Sequence, residues 1–376
     1  MTDKAPDVNT AMDRETLRRA FLTKAGLIDA ARTPMTGDAS TRSYERLTLA
    51  SGVTLILMDA PPAAESEPAG PDTTRDERRA MGYNALARLA ACRVDAFAAG
   101  SAYLRSRGLS APSVEAMDVV QGFAVIEDLG DDLFARRIAG GEAPQPLYAS
   151  AIDVLVRLQA EPPPIWLDYD GGRWPLLPYD DLALKTGCDL FLEWWPKFAG
   201  LPAFGAEAMA AWETLWAPVR AAGDRAANGA EGVYTHRDFH AENLLWLPER
   251  SGVARVGLLD FQDAVKAHPA WDLFHLLQDA RRDVAPELAA LMLERYLAAR
   301  PELDRETFLT EYHGLAALNA ARILFIFARQ VAGFGKPRYV DFMPRTWAAL
   351  THNLAQPGLE GLKAWFDRHV PPEARR

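Results

Sequence analysis

Residues 236–243 read HRDFHAEN, and the fold of this chain is decided there. Apolar residues flank the stretch on both sides, so it is predicted as a loop that leaves one buried strand and enters another. A second stretch, residues 256–262 with the sequence VGLLDFQ, is predicted as an apolar strand that ends at Asp260. The two stretches are expected to meet and to bring Asp238, Asn243 and Asp260 into one site.

This spacing suits phosphoryl transfer, which needs positioning and charge neutralisation more than covalent chemistry. Asp238 is the candidate base that takes or orients the proton of an attacking hydroxyl. Asn243 and Asp260 are candidate ligands of Mg²⁺, which prefers a few hard oxygens and keeps several waters. Each half of the pattern is weak evidence for such a site alone, but the two halves in this order are specific evidence for it. The alternative is an Asp–Asn loop that caps a turn, with Asp260 simply ending a strand.

The pattern H-R-D-x-x-x-x-N followed by Asp-Phe resembles protein kinases and, more closely, the superfamily of aminoglycoside phosphotransferases and choline kinases. Within that superfamily the sequence is most similar to the anomeric N-acetylmuramate/N-acetylglucosamine kinases of cell-wall recycling. Five stretches carry this second resemblance: GDASTR at 37–42, LMDAPP at 57–62, EDLG at 127–130, FLEWW at 191–195 and HRDFHAEN at 236–243. The resemblance implies ATP and Mg²⁺ as cofactors.

The resemblance also implies an α+β, bilobal protein-kinase-like fold. A small antiparallel-sheet lobe that binds the nucleotide is expected over residues 1–126. A larger helical lobe with the catalytic and metal site and the acceptor pocket is expected over residues 127–376. Hydrophobic periodicity predicts two hairpins in the first part, a helix over 75–93 and a loop over 165–178. Further helices are predicted at 13–28, 94–107, 147–159, 179–198, 206–227, 272–280, 286–299, 305–331, 339–354 and 359–369.

The nucleotide site is expected in the sheet lobe. Ser40 and Arg42 follow Gly37 in a short loop that opens a hairpin, where backbone N–H groups and these side chains can approach phosphates. Without the resemblance, an ordinary loop explains this segment equally well. In the superfamily the hinge between the lobes pairs with the adenine edge, which points to Glu127 and Leu129. The alternative there is a plain Asp-Gly turn.

One expected feature of kinases is absent from the sequence. The strand at 54–58 should carry a lysine that reaches the nucleotide phosphates, but Met58 stands near that place. The helix that follows, at 94–107, has no clear glutamate partner either. The absence of both residues of the ion pair is expected once one is lost, because the remaining charge would be buried alone at a high free-energy cost. Arg42 is the candidate substitute.

The resemblance places the helix with FLEWW beside the acceptor. Glu193 is a candidate to bind a hydroxyl and Trp194 to cover a sugar ring; the alternative is a core aromatic pair. His240 is a candidate to contact the acceptor or a phosphate. If the acceptor carries a lactyl carboxylate, as N-acetylmuramate does, a basic residue can pair with it. Three basic residues are candidates for this role, namely Arg322, Arg329 and Lys336.

Two residues are expected to support the site rather than act in it. His236 is predicted to brace the loop, and Asp272 either to brace it or to cap a helix. His236 and His240 also invite a zinc hypothesis. That hypothesis is disfavoured because the glutamate of H-E-x-x-H and a third ligand are missing.

The composition limits the classes of partner and the cellular location that the sequence allows. The 376 residues carry 41 basic and 51 acidic side chains, a net charge of −10, which argues against a nucleic-acid partner. Two cysteines without a C-x-x-C motif favour the cytoplasm. No signal peptide is apparent at the N-terminus, and no uncharged apolar run reaches membrane-spanning length. Residues 61–76, rich in Pro, Ala, Glu and Gly, form either a lid or a solvated insertion.

The sequence therefore predicts a kinase that phosphorylates the anomeric hydroxyl of a small sugar, N-acetylmuramate or N-acetylglucosamine. Its product would pass to a nucleotidyltransferase in peptidoglycan recycling. An aminoglycoside, choline or another amino alcohol is the alternative acceptor, mildly favoured by the negative net charge. A nucleotide-binding pseudokinase is the alternative from another class, supported only by the missing lysine.

Overall fold

The N-terminal part of the chain is built on a five-stranded antiparallel sheet. The structure is a computed structural model that describes residues 8–35, 41–62 and 66–375. The strands lie in the order β1-β2-β3-β5-β4, so both predicted hairpins, β2–β3 and β4–β5, are confirmed. Their bounds are β1 Ala31–Pro34, β2 Ser43–Thr48, β3 Thr54–Asp59, β4 Val114–Asp118 and β5 Phe123–Glu127.

Both faces of this sheet are covered. Helix α1 (Val8–Lys24) packs on one face, where Phe21 stacks on Phe123 with ring centroids 5.4 Å apart. The opposite face belongs to the main core and includes Met58, which is 1% exposed. Because Met58 is enclosed by apolar side chains, a lysine at this position would be buried. The missing lysine is thus replaced by a core residue.

The predicted helix over residues 75–93 is wrong in its second half. The structure has α2 (Arg75–Met81) and α3 (Tyr83–Ala87), separated by Gly82 at φ +101°. Residues 88–93 are not helical, and Arg88, Ala91 and Cys92 have positive φ. A regular helix cannot contain such residues. Contacts with the catalytic loop, described below, hold this turn.

The rest of the chain is mainly helical, with three short two-stranded sheets. The sheets pair β6 with β7, β8 with β11 and β9 with β10. Their strands are β6 Trp166–Tyr169, β7 Gly172–Pro175, β8 Val233–Thr235, β9 Leu244–Trp246, β10 Val256–Leu258 and β11 Val265–Ala267. The helices are α4 Val94–Ser106, α5 Phe134–Ala139, α6 Pro144–Leu158, α7 Asp181–Ala199, α8 Ala206–Asn228, α9 Ala270–Leu277, α10 Pro286–Ala298, α11 Arg305–Ala332, α12 Met343–Leu354 and α13 Glu360–His369.

Two further predictions are corrected here. Residues 165–178 were expected to be a loop, but they form the β6–β7 hairpin, whose turn contains Gly171 at φ +100°. The helix expected over 339–354 begins only at Met343, after a 3₁₀ segment at Pro337–Phe342. Pro344 lies in the first turn of this helix, where its missing N–H costs no hydrogen bond, so the proline favours a helix start at this point.

Helix α11 is a core helix. It is the one helix in the described part of the chain that is long and apolar enough to cross a membrane, yet 67% of its most apolar window is buried. It packs against α7 and α12 and carries the polar residues Asn319 and Arg322 on its buried side. This agrees with the prediction of a buried helix here.

The sheet ends with β5 at Glu127, one residue beyond the predicted lobe boundary at 126. The helices between β3 and β4 also contact the helical part, since α3 packs on α7 and α4 packs on the β6–β7 hairpin. The division of the chain at residue 126 stays a prediction.

Gly122→Ala should destabilise the fold severely. Gly122 has φ +70° in the β4–β5 turn, and an added Cβ would lie 2.0 Å from the carbonyl oxygen of Ala60. That carbonyl belongs to backbone and cannot move aside. Gly52→Ala is the matched control in the β2–β3 turn, because Gly52 has φ +86° with nothing within 4 Å of the added Cβ.

Chemical denaturation measures both variants. The control should lose about 1–2 kcal/mol from backbone strain alone. Gly122→Ala should lose clearly more, and equal losses for the two variants would contradict this packing.

Candidate active site

The loop at residues 236–243 connects β8 to β9, as expected. Its far end meets the second predicted stretch directly, because Leu259 N–H donates to the carbonyl of Asn243 at 3.0 Å. A second backbone bond, from Asn243 N–H to the carbonyl of His240 at 2.9 Å, closes the turn before β9. The loop and the strand end of β10 therefore form one site.

Asp272 holds the near end of this loop. It lies in the first turn of α9 and is fully buried. Its two carboxylate oxygens accept the backbone N–H groups of His236 at 2.7 Å and Arg237 at 2.8 Å. Burial raises the pKa of Asp272 to about 7, although the two N–H donors act in the opposite direction. The carboxylate thus fixes the residues immediately before Asp238.

Asp238 is a half-buried carboxylate with two histidines and two arginines among its neighbours. Burial acts to raise its pKa, but these neighbours prevail and hold the pKa below its usual range. The groups that lower it are His275, Arg322, His240 and Arg237. Asp238 is therefore ionised at neutral pH, as a group that accepts a proton from a hydroxyl must be.

Asn243 and Asp260 are both neighbours of Asp238. Asn243 Nδ2 donates to the backbone carbonyl of Asp238 at 2.9 Å, which fixes the orientation of the amide. Asp260 has φ +61°, a conformation rare for residues other than glycine and frequent at functional sites. Burial, the largest influence, and the nearby Asp238 act to raise the pKa of Asp260, but Arg42 and the hydrogen bond from Gln262 together outweigh them, so the pKa of Asp260 is lowered.

These residues fit Mg²⁺ better than zinc. The carboxylate of Asp260 and the amide oxygen of Asn243 are hard ligands, and the charge of Asp238 acts to raise the pKa of Asp260, a repulsion that a divalent cation would relieve. Within residues 8–35, 41–62 and 66–375, no group of three His, Cys, Asp or Glu side chains has a metal-binding arrangement. His236 packs edge-on against Phe239 and Phe261, and burial lowers its pKa.

Arg42 reaches the site from the sheet. Its Nη2 donates to Asp260 Oδ1 at 2.7 Å, and its side chain is 9% exposed. Burial acts against its charge, but Tyr44 and Asp260 outweigh burial and raise the pKa of Arg42, which stays protonated. A permanent cation therefore stands at Asp260. Ser40, its predicted companion, lies outside the described residues.

His240 is held neutral by an arginine that the sequence did not single out. Arg281 Nη1 donates to His240 Nε2 at 2.7 Å. Burial, followed by the charge of Arg281, lowers the pKa of His240 to about 3. Because Nε2 accepts, the ring proton belongs on Nδ1, which is buried and has no partner among the described residues.

Arg237 ties the catalytic loop to the turn after α3. It has φ +81°, and its guanidinium donates to the carbonyls of Arg88 at 3.0 Å and Ala87 at 2.8 Å. Asp263 adds a second tie by accepting the N–H of Ala90 at 2.7 Å. These contacts explain why residues 88–93 leave the helix. No local sequence signal indicates them, since the partners are about 150 residues apart.

The hinge residues are placed between the two parts of the chain. The carboxylate of Glu127 is engaged by Arg250 at 2.7 Å and by Arg105 at 3.3 Å. The backbone N–H of Glu127 donates to the carbonyl of Ser113 at 2.9 Å, and an adenine contact at this residue stays a prediction. Leu129 is half-buried and lies against Gly257 of β10.

The FLEWW stretch divides between the surface and the core. Glu193 pairs with Lys197 at 2.7 Å, and the Trp194 ring lies between Lys197 at 4.5 Å and Arg329 at 5.9 Å. Trp195 is instead fully buried in an aromatic cluster. Among the described residues, no hydrogen bond or ion pair joins Glu193, Trp194 or Arg329 to Asp238. Their acceptor role stays a prediction.

Comparison with known proteins is consistent with this geometry. The model of the phosphotransferase enzyme family (APH) matches residues 32–309. The N-acetylmuramate/N-acetylglucosamine kinase of Caulobacter vibrioides is 58% identical over 364 residues, which cover 97% of this chain and 99% of that protein. The protein of the same name from Pseudomonas putida is 28% identical over 331 residues, 86% of this chain and 82% of that one.

Two solved structures share the fold at low sequence identity. The Plasmodium vivax ethanolamine kinase has a TM-score of 0.53 at 10% identity and covers 92% of this chain and 89% of its own. The GDP complex of an aminoglycoside 2′-phosphotransferase-IIIa variant has a TM-score of 0.51 at 12% identity, covering 94% and 99%. This chain belongs to the APH phosphotransferase family, and it is a small-molecule kinase.

Asp272→Ala should impair both stability and turnover. It would leave two buried backbone N–H groups without an acceptor, at about 1–3 kcal/mol each, and would free the loop that carries Asp238. Asp304→Ala is a matched control, because Asp304 also accepts a backbone N–H, that of Thr307 at 2.9 Å, at the exposed start of α11.

Chemical denaturation and steady-state kinetics distinguish the Asp272→Ala variant from the Asp304→Ala control. The control should lose about 1 kcal/mol of stability and keep its turnover. An Asp272→Ala protein with the turnover of the control would refute the bracing role.

Proposed function

We propose that this chain is an ATP- and Mg²⁺-dependent sugar kinase that phosphorylates the anomeric hydroxyl of N-acetylmuramate and N-acetylglucosamine. The observation that carries the choice of acceptor is the 58% identity, over 97% of this chain, with a kinase of that name. The cluster of Asp238, Asn243 and Asp260 supports the reaction type. A place in the cytoplasm and a nucleotidyltransferase that consumes the product belong to the same proposal.

Asp238 is the proposed catalytic base. Its ionised carboxylate accepts a hydrogen bond from the acceptor hydroxyl and orients the oxygen toward the γ-phosphoryl group. It takes the proton as the new oxygen–phosphorus bond forms and the bond between the γ-phosphorus and the bridging oxygen breaks, which releases ADP. Asn243 and Asp260 are the proposed ligands of the metal ion. When bound, Mg²⁺ would neutralise charge on the β- and γ-phosphates. His236 and Asp272 keep the loop in the conformation that this alignment needs.

Arg42 is the proposed phosphate ligand in place of the absent strand lysine. Its contact with Asp260 supports this, because the guanidinium already stands where the phosphates would meet the metal-binding carboxylate. Ser40 is proposed to assist from the same loop. Glu127 and Leu129 are proposed to present backbone groups to adenine, in an N-terminal lobe that ends near residue 126.

The acceptor is proposed to lie on the helical side of Asp238. Trp194 would cover the sugar ring and Glu193 would bind a hydroxyl, while Arg329 lies against the Trp194 ring. His240, held neutral by Arg281, is suited to donate a hydrogen bond from Nδ1 without adding charge.

Product identification tests the function. The purified protein is incubated with Mg·ATP and N-acetylmuramate, N-acetylglucosamine, kanamycin, choline or homoserine, and phosphorus NMR locates the phosphate. A sugar 1-phosphate is the expected product. Phosphorylation of an amine-bearing acceptor alone would overturn the choice of substrate, and ATP binding without any product would favour the pseudokinase.

Asp238→Ala should reduce turnover at least about 100-fold while nucleotide binding persists.

Arg42→Met should weaken the use of ATP. Loss of a charge-assisted contact to phosphate should lower kcat/KM for ATP at least about 10-fold. Arg42→Lys should recover part of this, because a point charge also binds phosphate. Arg32→Met, which removes a β1 arginine paired with Glu15 and Glu45, is the control. An unchanged KM and kcat in Arg42→Met would exclude the assigned role.

A further inference from the structure

Arg322 is a buried cation beside the catalytic aspartate. It lies in α11 and is 8% exposed. Its Nη1 donates to Asn319 Oδ1 at 3.1 Å, and no carboxylate in the described part of the chain forms an ion pair with it. A buried charge without a counter-ion is costly, so a fold that keeps one has a use for it.

Asp238 is among the neighbours of Arg322. Burial acts against the charge of Arg322, and the groups that support the charge are Tyr179, Tyr83 and Asp238, followed by Asp263. Asp260 interacts with Arg42 and Asp238. Arg322 belongs to α11, in the helical part of the chain, where the acceptor is proposed to lie.

Helix α7 makes room for this arginine. A Cβ added at Gly187 would lie 3.1 Å from Arg322 Cδ and 3.4 Å from Cγ. Gly187 is in the interior of a 19-residue helix, where glycine costs about 0.5–1 kcal/mol relative to alanine. The missing side chain allows the aliphatic part of Arg322 to pack directly against α7.

We propose that Arg322 binds the lactyl carboxylate of N-acetylmuramate and so sets the preference for this sugar over N-acetylglucosamine, which lacks that group. The inference rests on the proposed function. A guanidinium can hold a carboxylate by two parallel hydrogen bonds, which fixes orientation as well as charge. With N-acetylglucosamine in the site, Arg322 stays without a counter-ion, and this difference generates selectivity.

The other two basic candidates are placed differently. Arg329 lies over the rings of Trp194 and Phe334, 5.9 and 5.1 Å from their centroids, and Lys336 comes after the end of α11. Arg322 alone among the three is both buried and within the electrostatic reach of Asp238.

The ratio of kcat/KM for the two sugars tests the proposal. Arg322→Met keeps the length of the side chain and removes the charge. It should lower kcat/KM for N-acetylmuramate by about 10- to 100-fold and change that for N-acetylglucosamine less than about threefold. Equal losses with both sugars, with the acid limb of the pH profile moved upward, would show that Arg322 acts only through Asp238 and would overturn the proposal.

A second variant tests the same point without touching the arginine. Gly187→Ala should displace Arg322 and shift the ratio in the same direction by a smaller factor, even if Arg322→Met fails to fold. Gly314→Ala is the matched control. Gly314 lies in the interior of α11, and its added Cβ would lie 3.2 Å from Val219 of α8. The control should leave the ratio unchanged.

Unaltered selectivity in Gly187→Ala and Arg322→Met together would rule out the carboxylate contact. Failure of the wild-type protein to phosphorylate either sugar is a different outcome, because it would refute the proposed function itself.

Discussion

The catalytic centre depends on one buried carboxylate, that of Asp272, which receives the backbone N–H groups of His236 and Arg237. The next residue in the chain is Asp238, so any rotation of this loop displaces the proposed base. The other end of the loop is fixed by the bond from Leu259 N–H to the carbonyl of Asn243. A loop held at both ends keeps three separate side chains within one site, which phosphoryl transfer requires because its catalysis is mostly positioning.

Charge balance is the second constraint. Asp238 and Asp260 remain ionised although both are largely enclosed. His275 and Arg322 are the first of the groups that lower the pKa of Asp238, and Arg42 with Gln262 lowers that of Asp260. Burial and the charge of Arg281 keep His240 uncharged, so His240 adds no further cation next to the proposed base. We propose that a divalent cation and the nucleotide phosphates bind at this pair of carboxylates.

Local spacing predicted the candidate site residues, whereas contacts between distant parts of the chain left no signal in the sequence. The eight-residue stretch at 236–243 and the strand end at Asp260 predicted where the site forms, and apolar periodicity predicted most helices and both N-terminal hairpins. The break after α3 was missed, because it depends on the side chain of Arg237, far along the chain. No sequence signal indicated that residue 187 must be glycine, because the requirement comes from the close approach of the Arg322 side chain from α11. The β6–β7 hairpin was missed because its strands are only four residues long.

A crystal structure with Mg²⁺, a non-hydrolysable ATP analogue and N-acetylmuramate tests the central claim most directly. The account predicts the metal between the Asn243 amide oxygen and Asp260, Arg42 turned to the phosphates, and the sugar O1 within about 3 Å of an Asp238 oxygen. A sugar whose O1 lies away from Asp238, or a metal bound without Asp260, would contradict the account.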